Sequence, residues 1–329
     1  MPLLDRRSFL ALCAASAACG VDPAPDPDAS AAPPDSSFPV HFIGANTAIS
    51  GLGFFEALDV IHDLGFRTVE VQNLVGRLEP TKGAFPGFVL DDLSDSEREQ
   101  VQAAVEPFAH VTAHLPYPPS MPYINPGADE AVEALDRALD AVELVGGKLA
   151  VLHPQPSGAD LYANWDVAVE RIRRWGSMAA DRGFALACET SMPRSLPDLL
   201  RFHEEIDHPN VGVTLDVGHQ ADFEELAAIP EGQRSTPESI QAYNDLNLRI
   251  VDALDEKLIH LHVHDIEPAT WAEHKPLVHD FIDYAALINK LRATRYDGVL
   301  VFEIGGDPAA MPGYLRDGKR ILESHLARA

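Results

Sequence analysis

From residue 38 onward, short apolar runs rich in β-branched residues alternate with longer amphipathic stretches. The runs Val40–Gly44, Thr68–Gln72, His110–Leu115, Lys148–His153, Ala185–Glu189, Val211–Asp216, Leu258–His264 and Val299–Ile304 predict eight strands. Between them, Phe54–Leu64, Asp95–Phe108, Asp129–Val145, Trp165–Arg182, Leu196–Ile206, Pro237–Leu254 and Tyr284–Thr294 predict helices, and Met311–His325 a closing one. Ala131, Leu135, Leu139 and Val142 show the spacing of one buried helical face. Gly65, Gly146 and Gly183 fall where helices should stop. Strand–helix alternation predicts an α/β fold with a parallel sheet. Eight such units are the count of a (β/α)8 TIM barrel. A doubly wound open sheet is the alternative, weakened because no Gly-rich phosphate or dinucleotide fingerprint follows any strand.

The first 37 residues break this pattern. Residues 1–18 begin with a charged segment, continue through an apolar run and end in small residues, the three parts of a signal peptide. Arg6-Arg7-Ser8-Phe9-Leu10 resembles a twin-arginine export signal. Ser16-Ala17-Ala18-Cys19-Gly20 resembles a lipobox, although Ser16 stands where leucine is usual; it implies lipidation of Cys19, and simple cleavage is the alternative. Residues 19–37 are dominated by Pro, Asp, Ala and Ser, cannot bury a core, and are expected to be a disordered tether. The barrel would then occupy residues 38–329, in an exported bacterial protein of the periplasm or cell envelope. Membrane contact is expected only through a lipid on Cys19.

Composition sharpens the picture. At 46% hydrophobic and 23% charged, this is a globular chain. A net charge of −26 repels polyanions, so nucleic acid is not an expected partner. Three cysteines exclude a disulfide-rich scaffold.

Candidate chemistry gathers where the strands end. Strand two carries Glu70, strand three ends at His114, strand four at His153, strand five at Glu189 and strand six at Asp216, with His219 just beyond. Strand seven carries His260, His262 and His264, and strand eight ends at Glu303. In a TIM barrel these ends form the active-site face. Lys and Arg are nearly absent there, so the carboxylates need another positive partner. Imidazole and carboxylate together suit a divalent cation, Mn, Co, Mg or Zn.

The ordered set of strand-end motifs resembles the xylose isomerase-like TIM-barrel superfamily, which includes sugar isomerases and epimerases and endonuclease IV-type AP endonucleases. The resemblance spans roughly residues 40 to 325. It implies one metal held by Glu189, Asp216, His262 and Glu303; His262 is preferred over its neighbours because it precedes Asp265 by three, as in the family's H-x-x-D pattern. His219, in LDVGH, matches a histidine that contacts substrate oxygen or a further metal. The endonuclease branch adds ligands, and His114, His153, His219 and His274 are the candidates for a second metal. That branch has an aspartate where Ala272 stands here, which removes one carboxylate from the further site. One cation is the expectation and two the alternative.

The resemblance implies an isomerase or epimerase acting on a sugar, keto-sugar or polyol, with proton abstraction beside a carbonyl. Glu189 and Glu303 would be the base and acid, with His219 stabilising the oxygen. Glu70, His114, His153 and Trp271 are expected to contact the carbohydrate-like substrate, Trp271 by stacking on the ring. Two alternatives stand beside it: a hydrolase with two or more metals acting on a phosphoester or other substrate, and a non-catalytic carbohydrate-binding barrel.

Overall fold

A computed structural model describes residues 42–72, 76–82 and 85–327. The expected signal peptide, Cys19 and the tether lie outside the described residues. The strands are β1 (Ile43–Asn46), β2 (Thr68–Val71), β3 (His110–His114), β4 (Leu149–Leu152), β5 (Ala185–Glu189), β6 (Val211–Asp216), β7 (Leu258–Val263), β8 (Asp265–Glu267), β9 (Ala272–Lys275) and β10 (Val299–Phe302). Eight of them close into a parallel barrel in the order β1-β10-β7-β6-β5-β4-β3-β2. The helices are α1 (Phe54–Asp63), α2 (Asp95–Val105), α3 (Asp129–Leu144), α4 (Trp165–Arg182), α5 (Leu196–Ile206), α6 (Pro237–Leu254), α7 (Tyr284–Ala293) and α8 (Met311–Leu326). The chain is a TIM barrel.

Local chemistry explains the helix ends. Ser94 caps α2: its hydroxyl accepts the Glu97 N–H, and the Glu97 carboxylate accepts the Ser94 N–H. Ser195 caps α5 in the same way through the Asp198 N–H, with Pro197 in the first turn. Gly183 ends α4 at φ +81°, a conformation that favours glycine. Ala131, Leu135, Leu139 and Val142 are all buried on α3, as their spacing predicts.

Two features differ from the sequence expectation. The first strand runs to Asn46 instead of stopping at Gly44. Gly44 sits mid-strand because a Cβ there would lie 2.7 Å from Thr68 Cγ2 on β2, so glycine permits close packing where the sequence suggested an end. After β7 the chain adds an antiparallel hairpin, β8–β9, over the carboxyl-terminal mouth. Its strands are short, and Trp271 and His274 adopt positive φ (58° and 57°), which erases the hydrophobic period. Among the described residues, no helix is long and apolar enough to cross a membrane.

One buried histidine lies away from the mouth. His203 on α5 is buried, with no hydrogen-bond partner at Nε2. Burial, and then Lys257, press its pKa down to about 3. Its folded pKa is below the unfolded value near 6.5, so the unfolded chain takes up the proton first and stability falls as pH drops through that window. His203→Leu is expected to remove about 3 kcal/mol of acid-induced destabilisation at pH 4. Urea unfolding at pH 4 and pH 7 checks this; an unchanged difference between the two pH values would show that His203 does not titrate in that range.

Candidate active site

Strand register sets the site. Asp216 pairs with His262, and Val301 also pairs with His262, so β6, β7 and β10 deliver their inward residues to one level. One donor atom from each of Glu189, Asp216, His262 and Glu303 lies within 4.8 Å of the others. That is close to the roughly 4.2 Å spanned by opposite ligands around a cation with bonds of about 2.1 Å. His262 Nδ1 is 2.8 Å from Glu189 Oε1, 2.8 Å from Glu303 Oε2 and 3.7 Å from Asp216 Oδ2. A single imidazole N–H can serve only one of three carboxylates, so the geometry is that of a ligand set, not of a hydrogen-bond network.

The surrounding bonds prepare each ligand. Asp216 Oδ1 accepts the Gly218 N–H at 2.7 Å and lies 2.9 Å from His264 Nε2. His264 Nδ1 lies 3.1 Å from the His274 backbone nitrogen and 3.0 Å from the Asp265 carbonyl oxygen, and these contacts hold the ring with Nε2 facing Asp216. Asp216 Oδ2 is buried with no hydrogen-bond partner. His264 therefore fixes a ligand; Gly218 is required beside it, because a Cβ would strike the His264 ring. On the other side, Glu70 Oε1 lies 3.0 Å from His262 Nε2, and Glu70 Oε2 accepts from Thr112 Oγ1 at 3.1 Å. With Nε2–H held by Glu70, Nδ1 of His262 keeps its lone pair for a cation.

Electrostatics agree with this reading. Burial opposes the charge of Glu189, but the imidazoles of His153, His262 and His219 outweigh it and hold the carboxyl well below its usual range. Burial likewise opposes ionisation of Asp216, and His219 and His264 overcome it. For His262, burial disfavours the cation, yet Glu303, Glu70 and Glu189 raise its pKa well above the ordinary value. Against burial, Glu70 and Glu303 are held below their ordinary range by His262 in the same way, so four carboxylates favour the ionised form together, the arrangement a divalent cation would balance.

A second group sits on the β3–β4 side. His153 Nε2 lies 2.6 Å and His114 Nε2 3.4 Å from Glu189 Oε2. His114 Nδ1 donates to the Leu115 carbonyl at 3.0 Å, which leaves Nε2 as a free lone pair when the ring is neutral. His153 is therefore the nearer of the two imidazoles to Glu189 Oε2. Tyr117 stacks on His153 with ring centroids 3.9 Å apart.

The structure places the other expected residues at different depths. Glu70, expected to contact substrate, is 0% exposed, and its carboxylate meets His262. His114 is also buried, with Nε2 3.4 Å from Glu189 Oε2. Trp271 is 3% exposed and packs on Tyr243 and Phe281, with the Arg234 guanidinium 5.0 Å from its ring, so no face is left for stacking. The four histidines expected around one second metal do not share one position. His114 and His153 group with Glu189, whereas His274 groups with Asp216 and His264, or with His219 and Glu273. His260 is buried beside Glu70, and burial pushes its pKa down to about 3. The structure brings His219 to the mouth, 3.9 Å from Glu189 Oε1 and 3.9 Å from Glu273 Oε2. Gln72 was not foreseen: its amide donates to Glu303 Oε1 at 3.0 Å from the end of β2.

This barrel matches a family model described as xylose isomerase-like TIM barrel over residues 58–325. The chain belongs to that family. Among solved structures, a D-tagatose 3-epimerase-like protein superposes with a TM-score of 0.62 at 20% identity, covering 87% of this chain and 97% of that one. D-psicose 3-epimerase of Clostridium cellulolyticum H10 gives 0.61 at 15% identity, covering 86% and 99%. The 3-keto-D-glucoside 4-epimerase of E. coli gives 0.59 at 22% identity, covering 86% and 98%. No curated protein matches the sequence.

Proposed function

We propose that the protein is an exported, metal-dependent isomerase or epimerase of a sugar, keto-sugar or polyol. The observation that carries this reading is the convergence of Glu189, Asp216 and Glu303 on Nδ1 of His262. Those four residues would hold one divalent cation, Mn, Co, Mg or Zn, whose chemistry is Lewis-acid polarisation of a carbonyl. The neighbours named as tagatose, psicose and keto-glucoside epimerases support a carbohydrate substrate. Export rests on Arg6-Arg7-Ser8-Phe9-Leu10 and lipid anchoring on Cys19.

Glu189 and Glu303 meet at one point from different strands, so one removes the proton beside the carbonyl and the other returns it. Gln72 occupies Oε1 of Glu303 and leaves Oε2 facing the centre. Burial lowers the pKa of His219, but Asp216 and Glu189 outweigh it and raise it above the ordinary imidazole value, which favours an N–H donor where negative charge grows on the substrate oxygen.

The test is proton exchange. The protein loaded with each cation in turn is incubated with D-psicose, D-tagatose, D-fructose and L-ribulose in deuterated water. Incorporation of deuterium beside the carbonyl is expected with at least one sugar, and Glu303→Gln should slow it about 10³-fold. Absence of exchange with every cation and every sugar would overturn the reading. A hydrolase is the second reading, favoured by the grouping of His114 and His153 around Glu189 Oε2; a second bound cation and phosphoester cleavage without exchange would put it first.

A further inference from the structure

We infer that Asn46 and Gln72 form a hydroxyl-reading subsite on the β10–β1–β2 wall of the mouth, and so help to set which sugar is accepted. The inference rests on the sugar-processing reading of the same site and names residues that read the substrate away from the cation.

Register puts the two amides beside the reacting groups. Asn46 ends β1 and pairs with Glu70 on β2; on its other side Ala45 pairs with Phe302, the residue before Glu303. Glu70 faces inward to His262, and strands alternate with period two, so Gln72 faces inward one layer above Glu70. Its contact with Glu303 confirms that direction.

The orientation of each amide is fixed by one strong neighbour. Asn46 Oδ1 accepts the Ala48 N–H at 3.2 Å, so the NH2 group is the other end. Gln72 donates its NH2 to the Glu303 carboxylate, so its carbonyl oxygen is the other end, and a flipped amide would set two oxygens against each other. The remaining ends are unmet: Asn46 Nδ2 and Gln72 Oε1 are buried with no hydrogen-bond partner. Asn46 is 4% and Gln72 6% exposed, so bulk water does not supply the missing bonds.

An unpaired buried donor and an unpaired buried acceptor are each unfavourable until a ligand meets them. One is a donor and the other an acceptor, on neighbouring strands. A sugar hydroxyl is both donor and acceptor, and a polyol offers several of them. Carboxylate and phosphate are acceptors only and would leave Gln72 Oε1 unmet. Gln72 also couples the subsite to chemistry, because the amide that reads a hydroxyl is the one that orients Glu303.

The experiment compares kinetics of the manganese-loaded wild type, Asn46→Asp, Asn46→Ala and Gln72→Glu on D-psicose, D-tagatose, D-fructose and L-ribulose, with manganese content and melting temperature measured alongside. Asn46→Asp keeps the acceptor for the Ala48 N–H but replaces the unmet donor with an acceptor. It is expected to raise KM about tenfold with kcat nearly unchanged, and Asn46→Ala should do the same. Gln72→Glu keeps an acceptor oxygen but loses the donor to Glu303, so it should lower kcat with a smaller change in KM. A wild type that acts on one sugar while Asn46→Asp matches it overturns the subsite alone: Asn46 then only shapes its turn, or an ordered water fills the gap. A wild type that neither binds nor converts any of the four overturns the sugar-processing reading and the subsite with it.

Discussion

Glu189→Gln is expected to lower turnover by about 10³-fold or more and to weaken cation binding by about 100-fold, with the loss of turnover not restored by excess cation. This carboxylate is the most shared group in the chamber. Oε1 meets His262 at 2.8 Å, and Oε2 meets His153 at 2.6 Å and His114 at 3.4 Å. Glutamine fits the same space, so the barrel should persist. Its NH2 group, however, turns a donor toward imidazole nitrogens and cannot act as a base. Asp216→Asn is the informative contrast. Asp216 commits Oδ1 to Gly218 and His264 and leaves only Oδ2 open, so under the proposed mechanism it would hold a cation and not move a proton. Its activity should therefore recover substantially at high cation concentration. Elemental analysis and turnover across a cation titration separate the two variants. A Glu189→Gln protein with full cation content and activity within tenfold of wild type would remove Glu189 from the mechanism.

The hydrophobic periods made the eight barrel strands and eight helices readable, because each strand buries an unbroken apolar run and each helix one stripe. The ionisable strand ends were readable for a related reason, and the family resemblance singled out Glu189, Asp216, His262 and Glu303 among them. An ionisable residue at the end of a buried strand is conspicuous, and its repetition around the barrel needed a common cause. Depth was not readable. Glu70 lies in register with Thr112, one layer beneath Gln72, yet along the sequence it is also a polar residue near a strand end. Its burial depends on closure of the barrel, which no local pattern records. The β8–β9 hairpin was hidden for another reason. Its two short strands have no apolar alternation, and Trp271 turns at positive φ, so an aromatic that suggested a sugar platform packs inward on Tyr243. The hairpin also explains His264. It lies past the end of β7 and would be exposed, but the returning strand covers it and brings the His274 backbone nitrogen to 3.1 Å from its Nδ1. The H-x-H-x-H spacing of residues 260, 262 and 264 is the one sequence signal of this arrangement, since alternate positions on a strand share a face.

Cation affinity is expected to rise by about tenfold or more for each unit of pH between 6 and 8, because the same imidazoles hold protons in the cation-free protein. The sign follows from the raised values. Burial opposes charge on His114, but Glu189, Glu303 and Glu70 together raise its pKa to about 8. Asp216 and Glu303 overcome burial in the same way at His274 and raise it to about 10. His262 is raised well above the ordinary imidazole range. Each protonated imidazole stabilises the folded, cation-free chain fully below its unfolded pKa near 6.5, and this contribution is lost as pH rises through the folded value. A cation has no such limit, since it replaces the protons outright. The difference in melting temperature between loaded and chelated protein should therefore widen from pH 6 to pH 8.5. The slope also counts cations. One cation at Glu189, Asp216, His262 and Glu303 must displace the proton of His262, which gives about tenfold per pH unit. A second cation at His114, His153 and Glu189 must also displace that of His114, which steepens the combined dependence below pH 8. Calorimetric titration in buffers of different ionisation enthalpy measures the protons released directly. Affinity that stays flat from pH 6 to pH 8, with no proton released, would mean that the cation does not bind through these imidazoles.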